Sequence, residues 1–283
     1  ASPAPTTLVS VTVGGVTFIT ATYSQISIGT TPRLTFTARI SDSVVVGQRI
    51  TNTTGVQFTS MPGLTATARS AYNTNSAERV YGSTQNAPIT INIPTIAKAL
   101  VGTEISSSIN LPNQAVIGEI VTYTVIISAP EGNIPSSVLV DTLPAGMAFV
   151  TMTASANSNP LSVSVQFLPP TIAVDAPGQV VSFTFGTVSN LNRNNNQFEQ
   201  IVVTYTAVVL NVAGNQGGTS LTNSARYFWA GGAAPAGPAS AAAVSVIEPD
   251  ARLIKTVNPT TGDFGDPITY TLVITGGGIT DAF

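Results

Sequence analysis

Apolar and β-branched residues alternate with polar ones in short runs along most of the chain. The clearest are VSVTVGGVTFITATY (9–23), RLTFTARI (33–40), ITINI (89–93), IVTYTVIIS (120–128), LSVSVQF (161–167), VVSFTFGTV (180–188), IVVTYTAVVL (201–210) and ITYTLVIT, which follows Pro267 and ends at residue 275. A period of two in segments rich in Val, Ile, Thr, Tyr and Phe predicts half-buried strands. Turn-forming clusters separate them: APEGN (129–133), NNN (194–196) and GNQGG (214–218). No window of twelve or more residues carries a helical period. The predicted fold class is all-β, as tandem immunoglobulin-like β-sandwich repeats, with a closed barrel as the alternative.

Internal similarity sets the predicted organisation. GEIVTYTVIIS (118–128) resembles GDPITYTLVIT (265–275), matching Gly118 and Tyr123 to Gly265 and Tyr270. SLTNSARYF (220–228) resembles RITNTTGVQF (49–58), matching Asn223 to Asn52, and YTAVV (205–209) lines up with FTARI (36–40) ahead of it. ITINIPTIAKAL (89–100) resembles VSVIEPDARLIKTV (244–257), matching Lys98 to Lys255. Residues 1–96 then read as the later part of one repeat, 97–249 as a complete repeat, and 250–283 as the opening strands of a third. The low-complexity stretch AGGAAPAGPASAAA (230–243) reads as a linker inside the complete repeat.

Composition narrows the chemistry. The 283 residues include no Cys and no His. That removes disulfides, thiolate metal sites, cysteine nucleophiles, Ser-His-Asp triads and the commonest metal-ligating side chain. No cofactor and no metal are expected, and no DxDxDG-type calcium loop appears. Ten basic residues form no stripe, and the net charge is −3, which argues against nucleic acid. The mean hydropathy is +0.32, yet the longest weakly polar stretch, Trp229 to Ile247, is interrupted by Gly and Pro, so no membrane span is expected here. The opening ASPAPTT has neither the basic start nor the apolar run of a signal peptide.

Only two lysines occur, Lys98 and Lys255, at equivalent points of the repeat. An ordinary solvated edge-strand charge is one reading of each. Asn52 and Asn223 fall within strand-like runs, where Asn is normally depleted. The order Lys98, GEIVTYTVIIS, VLVDTLPAGMAFV (138–150), SLTNSARYF resembles the prokaryotic surface-repeat family called domain of unknown function eleven, most specifically in DTLPAG and in the two G-[ED]-x-[IV]-T-Y-T segments. VQFTSMPG (56–63) and ERVYG (78–82) are similar to that family's tail, although the first partial repeat has no DTLP.

The resemblance implies β-sandwich repeats of large secreted proteins, in which a Lys near the start and an Asn near the end join as an intramolecular isopeptide bond. Lys98 would be the nucleophile and Asn223 the acceptor. Asp141 is the preferred acid, because DTLP follows an apolar strand; Glu119 is the alternative, expected at a solvent-facing Gly-Glu turn. Lys255 and Asn52 would serve the two partial repeats. Either the chain is an excerpt of a longer tandem array, the preferred reading, or residues 250–283 complete the sandwich of a neighbouring copy by strand complementation.

The expected function is therefore structural: an extracellular, cell-surface filament or stalk whose partners are adjacent repeats or copies of itself. An adhesin gripping a host molecule or glycan is the alternative, with ARYFWAGG (225–232) as its one aromatic candidate, though Tyr227, Phe228 and Trp229 are expected to alternate between core and surface. An enzyme ranks third. Asp141, Asp175 and Glu199 could supply paired carboxylates, but no cleft motif accompanies them, and the expectation is a non-enzymatic chain.

Overall fold

The computed structural model describes residues 3–59, 80–105, 110–157, 165–166, 169–193, 199–232 and 234–276. The protein is all-β. Its strands, in order, are β1 (Thr7–Val13), β2 (Val16–Thr22), β3 (Arg49–Thr59), β4 (Val80–Thr90), β5 (Thr95–Thr103), β6 (Gln114–Ala115), β7 (Ile120–Ala129), β8 (Gly132–Thr142), β9 (Met147–Asn157), β10 (Val165–Gln166), β11 (Thr171–Val174), β12 (Val180–Asn190), β13 (Glu199–Val209), β14 (Ser220–Leu221), β15 (Ser224–Phe228), β16 (Ala236–Ser240), β17 (Val244–Val246), β18 (Ala251–Asn258) and β19 (Thr269–Gly276). No helix among the described residues is long and apolar enough to cross a membrane.

The chain divides into two compact units, residues 1–41 with 49–89, and residues 42–48 with 90–283. In the first unit, β1 and β2 form an antiparallel hairpin, and β3 pairs with β4. The run 9–23 thus turns back on itself at Gly14 and Gly15, whose φ angles of 58° and 81° suit a two-residue turn of the primed kind. RLTFTARI forms no strand, contrary to its alternation, and its Leu34, Phe36 and Ile40 are exposed. Alternation specifies a strand only where a neighbouring sheet rewards one face, and no buried hydrophobic residue lies among the described residues of this unit.

The second unit is a β-sandwich. One sheet has the order β5-β7-β13-β9; the other has the order β10-β12-β8-β15-β16, with β11 also on β12. Their facing sides supply one core, including Val121, Tyr123, Val125 and Ile127 from β7, Ile201, Val203 and Tyr205 from β13, Leu139 from β8 and Phe183 from β12. The strict alternation of buried and half-buried positions in β7 and β13 follows from the pleat. A small sheet, β14-β17-β6, joins β17 to β6 in parallel. The segment 230–243 is not only a linker: Ala236–Ser240 within it is the edge strand β16, paired with β15, and an edge strand tolerates Pro238.

Residues 42–48 belong to this sandwich. Val46 is 1% exposed within the core, its amide donates to the Asn133 carbonyl at 3.1 Å, and the Asn133 amide donates to the Val44 carbonyl at 2.9 Å. Gly132 permits that approach. Its φ is 118°, and a Cβ there would stand 2.9 Å from the Val44 carbonyl oxygen. The predicted NNN turn lies outside the described residues, as does the predicted strand 161–167 except for Val165 and Gln166. The pair β18–β19 is an antiparallel ribbon whose every residue is exposed.

Candidate functional site

β5 carries the first site residue. Ile96, Lys98 and Leu100 fall on one phase of the strand and are half-buried, while Ala97, Ala99 and Val101 are exposed. The pleat therefore sends Lys98 the same way as two apolar neighbours. The strand pairs with β7, placing Lys98 opposite Val125 and Leu100 opposite Tyr123. The side chains of Lys98 and Asp141 are both 0% exposed. A solvated edge charge would keep its ammonium in water; this one does not.

Asp141 sits near the end of β8, opposite Ala225 on one side and Val181 on the other. It forms an ion pair with Lys98 across the sandwich. Asn223, 0% exposed, lies at the break between β14 and β15 and not within a strand, which corrects the expectation from its sequence run. An interruption where the chain changes sheets is a place that accommodates Asn without breaking a ladder. Tyr205, from the centre of β13, links the group. Lys98 Nζ donates to its hydroxyl at 2.5 Å, and Asn223 Nδ2 donates to the same oxygen at 2.8 Å.

The surroundings are aromatic. Lys98 Nζ lies 5.1 Å from the Tyr123 ring centroid and 5.0 Å from that of Tyr205. Tyr205 in turn packs against Tyr123, Phe149 and Phe183 at centroid distances of 5.8, 6.0 and 5.7 Å. Burial here pushes Lys98 below its ordinary range, with the Asp141 charge and hydrogen bond opposing the shift. Burial pushes Asp141 up, opposed by Lys98, Tyr205 and Asn223. Both displacements lower the cost of passing the shared proton from nitrogen to oxygen. Asp141 Oδ1 and Asn223 Oδ1 have no hydrogen-bond partner, as is also true, among the described residues, of the buried side-chain polar atoms of Asn110, Tyr227 and Trp229. Such vacancies are rare in folded proteins.

Glu119, the alternative acid, is 3% exposed, not solvent-facing. Its two oxygens accept from the amides of Ile105 at 2.8 Å and Val116 at 2.9 Å, so burial is compensated by backbone donors. Asp175 accepts from the Gln179 and Val180 amides at 2.6 and 2.9 Å, and buried Glu199 accepts from Asn190 at 3.0 Å and from Asn192. Each acid has its own set of partners. Lys255 is exposed on β18 with its Nζ 4.6 Å from the Tyr270 ring centroid, and Asn52 is exposed on β3. Tyr227 and Trp229 are buried at 0% and 7%, while Phe228 is 39% exposed, so ARYFWAGG presents a single aromatic ring outward. Among the described residues, no group of three or more acidic side chains is placed to hold a metal ion. Sequence reading missed Tyr205; its signal was a Tyr on the buried phase of IVVTYTAVV, directly opposite Tyr123.

No family model matches the chain, and no curated relative matches it. Among solved structures it is similar to the C-terminal domain of the Streptococcus agalactiae AgI/II polypeptide BspA, at 12% identity and a TM-score of 0.39, over 57% of this chain and 54% of that one. It is similar to the Bacillus cereus major pilin subunit BcpA at 14% identity and a TM-score of 0.35, over 64% and 52%. A third is the Streptococcus pneumoniae pilus backbone RrgB, at 14% identity and 0.35, over 48% and 31%. The match thus spans about half or less of those chains.

Proposed function

We propose that the second unit is a self-crosslinking structural repeat of an extracellular, cell-surface filament or stalk, in which Lys98 condenses with Asn223. One observation carries this reading: a fully buried Lys-Asp pair shares Tyr205 with a buried Asn whose carbonyl oxygen lacks a donor. Proton transfer across the ion pair gives Lys98 a free lone pair. The Asp141 carboxyl then has an O–H to donate, and the Asn223 carbonyl oxygen is the acceptor without a partner. Attack of Nζ on Cγ forms an amide, the Cγ–Nδ2 bond breaks, and ammonia leaves. Packing holds the reactants together in place of a cofactor.

The bond would tie the first strand of the sandwich to the start of β15. Linking positions so distant in sequence restricts the unfolded chain by about 5 kcal/mol in the chain-entropy treatment, without cysteine. Neighbouring repeats or further copies are the proposed partners, and no enzymatic turnover is proposed. Intact mass spectrometry of the folded chain tests the reading. A deficit of about 17 Da, one ammonia by this chemistry, that disappears in Lys98→Ala is the expected result. The full sequence mass in a folded chain overturns it.

A further inference from the structure

Tyr205 has a geometry that burial alone does not explain. Its hydroxyl oxygen receives both the nucleophilic nitrogen, at 2.5 Å, and the nitrogen that must leave, at 2.8 Å. With two donors on its oxygen, the hydroxyl still has one proton to give. Burial first, then the Asp141 charge, hold its ionisation far above the ordinary phenol range, so that proton stays in place. The neighbouring Tyr123 is different: its hydroxyl donates to Met147 Sδ at 3.5 Å.

Resting on the crosslinking reading above, we infer that Tyr205 is a catalytic proton relay of the condensation, carrying hydrogen from Lys98 Nζ to Asn223 Nδ2. An amide nitrogen is not a useful base, because its lone pair is delocalised into the carbonyl. Attack by Nζ makes Cγ tetrahedral and localises that pair on Nδ2. Tyr205 then gives its own proton to Nδ2 while taking one from the now cationic Nζ. The Nζ–Cγ bond has formed, the Cγ–Nδ2 bond breaks, and ammonia departs. Overall, the ammonium, the primary amide and the carboxylate become a secondary amide, ammonia and a carboxylic acid. Hydrogen and charge balance, and the phenol is regenerated. Asp141 starts the sequence by accepting the first proton; Tyr205 supplies the second transfer, to a different atom.

The test follows the mass of cell-free-synthesised chain with time after folding, over a range of pH. Tyr205→Phe keeps the ring packing and removes the hydroxyl. The expected result is ammonia loss slowed about 100-fold or more, the usual scale for a positioned proton-transfer group, with Tyr123→Phe at the wild-type rate. Unfolding midpoints compared between Lys98→Ala and Lys98→Ala/Tyr205→Phe, neither able to condense, report the purely structural contribution of the hydroxyl. If Tyr205→Phe does not fold, chain made with 3,5-difluorotyrosine keeps the packing while making the phenol a stronger proton donor, and its rate of ammonia loss must change. A wild-type rate in Tyr205→Phe, or a wild-type rate in the fluorinated chain, overturns the relay while leaving the crosslink standing. No ammonia loss from the wild-type chain overturns both.

Discussion

Lys98 and Lys255 occupy the same register in two strand pairs and live in opposite environments. On β5–β7, Lys98 lies opposite Val125 and Leu100 opposite Tyr123; on β18–β19, Lys255 lies opposite Leu272 and Val257 opposite Tyr270. Each ammonium stands near the Tyr ring of the adjacent strand, at 5.1 and 4.6 Å. The local pairing is therefore common to both. What differs is the second sheet. β8 brings a carboxylate to Lys98, and the entry to β15 brings an amide to the Tyr205 hydroxyl that Lys98 also meets, with the Lys98 and Asp141 side chains out of solvent, whereas the β18–β19 ribbon is exposed along its length. Two strands are enough to aim a lysine; burying it takes the opposing layer.

Asp141→Ala should break the comparison most sharply, because it strands a buried cation. In an Asn223→Ala background, where neither chain can condense, unfolding in urea should show a loss of about 3–5 kcal/mol; in the otherwise native chain, intact mass should show no ammonia loss. Lys255→Ala is the matched control and should change neither readout.

A second prediction concerns pH, in an Asn223→Ala chain that keeps the pair and cannot condense. Asp141 is raised from its ordinary 3.8, so the folded state holds more protons than the unfolded state between 3.8 and that raised value. Stability contributed there is present at low pH and lost as pH rises through the raised value. Lys98 is lowered from 10.5, so stability is recovered as pH climbs from the lowered value toward 10.5. Relative to Lys98→Met/Asp141→Leu in the same background, urea unfolding should give a trough at intermediate pH. A flat difference curve would mean that the pair is solvated, as Lys255 is.

Glu119→Ala separates the two buried acids. Losing the acceptor for two backbone amides should cost about 1–3 kcal/mol in urea unfolding, while the ammonia deficit persists. The smallest effect belongs to the exposed pair. Tyr270→Ala should loosen the β18–β19 ribbon by at most about 1 kcal/mol, the scale of an exposed cation–π contact, detectable as faster amide exchange confined to those strands.

Much of the sandwich was legible because its strands are amphipathic with a strict period: IVTYTVIIS and IVVTYTAVVL became adjacent strands with alternating burial. The same pattern in RLTFTARI yielded no strand, since alternation records what a residue would bury, not whether anything is present to bury it against. The structure brings Lys98 and Asp141 together and joins Asn223 to them through Tyr205, residues separable in sequence by type and by their place in the similar segments. Tyr205 was hidden among other tyrosines, because only the crossing of β5, β8, β13 and β15 distinguishes its hydroxyl. Glu119 looked solvent-facing because a turn was read without its amide donors.

The short segment 42–48 makes the two units hard to separate with one cut. The chain passes into the second unit at residue 42, leaves it after 48, and returns at 90. A protease that nicks the chain anywhere between residues 49 and 89 therefore produces two fragments that both belong to the sandwich. The first fragment is held by Val46 in the core and by the backbone bonds between Val44, Val46 and Asn133. Such a nicked protein would stay whole in native buffer and come apart only in denaturant. Conversely, a recombinant piece starting at residue 90 would open a slot where Val46 had been.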